Sequence, residues 1–176
     1  MFYQLSYWDV VKTVFIPDSE LNFLYVIIVI AFLVIINKMG WRQARWHILI
    51  LSTIVVTALL GVALINKGAG WTLYDNKLEI KAASISESIN LSENKVILVE
   101  SDSLWKPVTR LRGFNSSGLY TGKFKLANQQ EAMVFCHMPY SKILLFKVKD
   151  HYVLLAYPGV EELYSYILST REGISR

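Results

Sequence analysis

A chain of 176 residues allows one modest folded domain and a small addition to it. It is 53% hydrophobic and only 18% charged, with a mean hydropathy of +0.36, whereas an ordinary globular chain is about a quarter charged. The net charge of +4 divides into +1 over residues 1–66 and +3 over residues 67–176, neither of them the basic excess of a nucleic-acid binder, and the single cysteine, Cys136, excludes an internal disulfide.

The first residues place Phe2, Leu5, Trp8, Val11 and Phe15 at helical spacing, which predicts a short interfacial helix within residues 1–20. Residues 21–66 read as a transmembrane helical hairpin. Its first span, Leu21–Ile36, has Asn22 as its one polar residue, and Pro17-Asp18-Ser19-Glu20 before it is a helix start. Its second span, Trp46–Ile65, carries no ionisable group beyond His47. Neither span holds the buried charges that pumps and ion-coupled transporters use, so the pair reads as an anchor. Between them, Lys38, Arg42 and Arg45 stand without an acid. That basic loop favours the cytoplasmic side and puts both termini outside, in a protein integral to a bacterial cytoplasmic membrane.

After Gly68 and Gly70 the pattern becomes that of strands. "WTLYDNKLEIKA" reads as two strands about an Asp75-Asn76 turn, and "SISESINLSENKVILVE" as two more about Ser-Glu-Asn. "GLYTGKFKLANQQEAMVFCHM" is a hairpin with Tyr120, Gly122, Phe124 and Leu126 on one face, and "KILLFKVKDHYVLLAY" is another that turns at Lys149-Asp150. Val160, Leu163, Tyr164, Ile167 and Leu168 then form one helical stripe, with Glu161 and Glu162 in the first turn and Arg171 and Gly173 at the end. The expectation is about seven strands and one C-terminal helix.

From Trp105-Lys106-Pro107, through a basic stretch to Arg112 and Gly113, to Gly118, Tyr120, Gly122, Phe124, Leu126 and Asn128, the chain resembles bacterial PH-like (pleckstrin-homology-like) domains. The likeness spans roughly residues 71–170. It implies a membrane-anchored protein: a two-helix transmembrane hairpin followed by a mainly-β PH-like barrel of about seven strands, capped by a C-terminal α-helix. It implies no catalytic residues. The family's "N-G" turn is replaced here by Asn128-Gln129-Gln130-Glu131.

Catalytic constellations are hard to assemble. His47, His137 and His151 have no metal-ligand spacing, and Cys136 and His137 fall on opposite faces of a strand. Glu100 and Asp102 share a strand face, and a hydrolase or transferase would have to be built on such residues. No metal or cofactor is expected. The candidate ligand-binding residues are Lys106, Arg110, Arg112, Lys123 and Lys125, five cations in a stretch (103–130) without an acid. Such a cluster suits an anionic group, and arginine adds bidentate contacts that lysine cannot make. The expected partners are the membrane and a protein, with an anionic lipid or small ligand as the alternative. A merely solvated hairpin face is the competing reading.

Overall fold

The chain's computed structural model describes residues 1–14, 34, 41–66, 68–82, 85–116 and 118–174, the side chains of 11–14, 41–45, 58–59, 62–63, 115–116 and 172–174 aside. Among these residues are ten strands and three helices: β1 (Phe2–Gln4), α1 (Tyr7–Val14), α2 (Trp41–Ile65), β2 (Gly70–Tyr74), β3 (Lys77–Ala82), β4 (Ile85–Asn90), β5 (Lys95–Glu100), β6 (Pro107–Ser116), β7 (Leu119–Leu126), β8 (Glu131–His137), β9 (Lys142–Val148), β10 (His151–Ala156) and α3 (Val160–Ile174). They form a four-stranded sheet, β1-β2-β3-β4, and a six-stranded sheet, β5-β9-β10-β8-β7-β6.

The hairpins follow from their turns. Asp75, Gln129 and Lys149 adopt positive φ between β2 and β3, β7 and β8, and β9 and β10. Such backbone is needed to reverse a strand in a few residues, and Asp tolerates it better than most side chains do. β3 alternates exposed Lys77 and Lys81 with buried Leu78 and Ile80, as a sheet covered on one side should. β9 and β10 do not alternate. Leu144, Phe146, Val153 and Leu155 face the four-stranded sheet and α3, whereas Ile143, Leu145, Leu154 and Ala156 join Phe124, Val134 and Cys136 in a second core on the opposite face. Burial on both faces accounts for the unbroken apolar runs of these central strands.

The second core is enclosed by the sheet's own curl. A flat sheet of six strands is roughly 24 Å wide at ~4.8 Å per strand spacing. β5 and β6, its two edges, are joined only by residues 101–106, which fold into turns closed by Ser103 N–H to Glu100 O and Lys106 N–H to Ser103 O. The edges are therefore drawn towards each other, and Trp105 lies over the enclosed face with its ring 5.0 Å from that of Tyr152. The sheet does not close: β5 pairs with β9 and β6 with β7. The expected barrel of about seven strands is corrected to two sheets, one of them curled. The sheet is not a simple meander either, because β10 pairs in parallel with β8 and separates it from β9.

α3 starts at Val160 and lays Val160, Leu163 and Ile167 on the first core. Arg171 near its end donates to the carbonyls of Leu91 (2.6 Å) and Asn94, tying the helix to the β4–β5 turn.

The membrane expectation is also corrected. Among the described residues no helix is long and apolar enough to cross a membrane. The first expected span, Leu21–Ile36, lies outside the described residues apart from Val34. A transmembrane hairpin, an integral-membrane location and the orientation built on them are not supported. Leu49, Ile50, Ile54 and Leu60 on α2 are exposed.

Residues 2–4 are a strand and not part of a helix. β1 pairs antiparallel with β2, Phe2 opposite Thr72, and Leu5 N–H donates to Ala69 O at 2.7 Å. The chain thus leaves the sheet at Leu5 and returns to it beside its point of departure. α1 starts with a capping box: Asp9 N–H donates to Ser6 Oγ (3.2 Å) and Ser6 N–H to the Asp9 carboxylate (3.1 Å). Leu5 and Val10 are buried in the first core, so this end of the chain belongs to the folded unit.

Candidate binding surface

The five candidate cations lie on the β6–β7 hairpin and the turn before it, but they do not form one patch. Directly opposed residues of an antiparallel pair share a face. Thr109 opposes Lys125, Arg110 opposes Phe124 and Arg112 opposes Lys123. Arg112, Lys123 and Lys125 therefore share one face, and Arg110 lies on the other with Phe124. In a regular strand Arg110 and Arg112, two apart, would share a face. The register slips between them because Leu111 is bulged, and it slips again at Val108.

The cations also differ in their partners. Lys123 is ion-paired with Glu131. Lys106, Arg110, Arg112 and Lys125 have no ion pair among the described residues, and Lys106, Arg110 and Arg112 are exposed. Arg112 faces Lys123 across the ladder, a like-charge opposition that the Glu131 carboxylate paired with Lys123 offsets in part. Apolar side chains stand out beside them: Leu104 is 69% exposed, Val108 65% and Leu111 47%. Among the described residues β6 is the outermost strand of its sheet, so no described strand pairs with one of its backbone edges. Residues 107–116, whose first half the sequence marks only as a basic stretch, are a ten-residue edge strand, with Leu104 and Lys106 in the turn before it.

The other singled-out groups lie elsewhere. Cys136 is buried in the second core, where burial pushes its thiol well above the ordinary range. His137 points the other way, with Nδ1 2.9 Å from the Tyr3 hydroxyl and its ring edge-on to Tyr157. The expected opposition of Cys136 and His137 is observed. Glu100 is paired with Lys142 at 2.9 Å, and Asp102 lies in a turn, so the two do not share a strand face. His151 approaches Glu87 at 3.9 Å. Among the described residues no group of three His, Cys, Asp or Glu could hold a metal ion.

No family model, curated protein or solved structure matches this chain. The resemblance to PH-like domains is therefore corrected. It rests on the Trp105–Asn128 stretch, which is one hairpin and the turn before it, and neither the open six-stranded sheet nor its parallel β8–β10 pair is the implied barrel.

The Tyr3–His137 contact predicts a pH dependence. His137 is 9% exposed, and burial lowers its pKa below the ordinary imidazole value, with the Asp9 carboxylate opposing in part. The same burial, with Asp9, pushes the Tyr3 hydroxyl up to about 12, so it stays protonated throughout. The unfolded chain takes up the imidazole proton first as the pH falls. Stability is therefore complete above the ordinary imidazole value of ~6.5 and declines as the pH falls through the lower folded value. Urea midpoints should drop between about pH 7 and about pH 5, and drop less in His137→Gln. An equal drop in the variant would assign the effect to other groups.

Proposed function

We propose that this chain is a non-catalytic binding module that presents the basic edge of its six-stranded sheet to an anionic partner, a protein. The observation that carries this reading is the set of exposed cations, Lys106, Arg110 and Arg112, which have no ion pair among the described residues and stand on an edge strand beside exposed Leu104, Val108 and Leu111. Of the three, Arg112 stands opposite a like charge, Lys123, whose own partner is Glu131, so an anionic ligand would supply the counter-charge that Arg112 lacks.

The test is titration of the full chain into fluorescent polyglutamate at low and moderate salt. Binding should weaken as salt rises and fall by about tenfold or more in the Arg110→Ala/Arg112→Ala variant. Both arginines are exposed, so the variant's stability should stay within ~0.5 kcal/mol of the parent. Salt-independent binding, or none, would reject the module. A second reading, an anionic lipid surface, draws on the exposed apolar side chains that could enter a headgroup layer. Vesicles of phosphatidylglycerol that bind the parent and the arginine variant equally would eliminate it.

A further inference from the structure

We infer that the occupant of this edge is an extended, acidic segment of a partner protein, laid along β6 as an added strand. The inference deepens the binding-module reading and rests on it.

Three features of β6 bear on the shape of the occupant. Among the described residues no strand pairs with its outer edge, Pro107–Ser116. An incoming strand can use those backbone groups, whereas a headgroup layer offers no matching row of alternating donors and acceptors. The bulges at Val108 and Leu111 confine regular pairing to Arg112–Ser116, where the register with β7 is unbroken. Over the bulged half, recognition passes to side chains. There the bulge at Leu111 sends Arg110 to one face and Arg112 to the other. Two guanidinium groups thus flank the open edge from opposite sides. A flat anionic surface would meet one of them at a time. A strand lying in the plane of the sheet alternates its own side chains between the two faces, so its carboxylates reach both. Val108 and Leu111 offer apolar contact to residues between those carboxylates.

The experiment uses the full chain and a short fluorescent peptide of alternating glutamate and valine, followed by anisotropy. Two comparison probes are its analogue with backbone amides N-methylated and vesicles of phosphatidylglycerol. The peptide should bind, and the N-methylated analogue should bind about tenfold or more weakly, because it keeps the charge and loses the donors. Arg110→Ala and Arg112→Ala should each weaken the peptide, since each acts from its own face. Equal binding of the N-methylated analogue would overturn strand addition while leaving the binding module in place. Vesicle binding that depends on both arginines, without peptide binding, would overturn it in favour of a lipid surface. Failure of peptide, polyglutamate and vesicles alike would reject the module as well.

Discussion

Gly113→Ala and Gly122→Ala should each lower the stability of the fold by about 3 kcal/mol or more, an unusually large effect for one methyl group. The two glycines face each other across the β6–β7 ladder, with φ of +121° and +129°. Side chains rarely adopt that backbone, and forcing one to do so costs ~1–3 kcal/mol. Sterics add to it. A Cβ on Gly113 would collide with the Thr121 carbonyl and the Gly122 Cα, and a Cβ on Gly122 with the Arg112 carbonyl and the Gly113 Cα. The obstacles are backbone atoms, which cannot swing aside as a flexible side chain could. With a urea dependence of ~1–3 kcal/mol per molar, the midpoint should fall by roughly 1–3 M. Because the glycines touch, the double variant should cost less than the sum of the singles. Gly61→Ala is the contrast: nothing lies within 4 Å of a Cβ there, and alanine is the better helix former by ~1 kcal/mol. A Gly113→Ala chain as stable as the parent would mean that the hairpin is not pinned at this crossing.

The same hairpin shows where reading the sequence succeeds and where it stops. β2–β3, β7–β8 and β9–β10 were legible because each turn carries its own chemistry and each strand has an apolar face. α3 was legible from its stripe, its first-turn acids and its C-terminal arginine. β6 was not, because an edge strand exposed on both sides has no apolar period, and two bulges would have shifted any period it had. The candidate cations lie on and beside one hairpin, but their division between two faces depends on the bulge at Leu111, which no local pattern marks. β1 has three residues and pairs with a strand nearly seventy residues away, so no local signal marks it. The parallel β8–β10 pairing is likewise a tertiary choice. The PH-like resemblance and the membrane hairpin failed for a shared reason. Each extended a local pattern, one hairpin in the first case and apolar runs in the second, to an architecture that the described residues do not form.

Trp71→Ala should cost about 3–5 kcal/mol, because Trp71 holds the four-stranded sheet against the rest of the fold. Its side chain is 3% exposed within the first core. Its indole Nε1–H donates to the carbonyl of Pro158 at 3.2 Å, just before α3. Gly159, at φ +82°, brings the backbone so close that a Cβ there would lie 3.2 Å from the indole ring. One side chain of β2 thus reaches the start of α3, while its own backbone pairs with both β1 and β3. Removing the ring leaves a cavity between layers that strands fixed by their ladders cannot collapse to fill. Trp71→Phe separates the contributions. It keeps most of the apolar volume and leaves the Pro158 carbonyl without the indole donor, so about 1–2 kcal/mol of the loss should remain. If the two sheets unfold as one unit, the urea midpoint falls and the slope stays unchanged. A shallower slope in Trp71→Ala would mean that the four-stranded sheet detaches first, and a loss under ~0.5 kcal/mol would show that the indole does not clamp the layers.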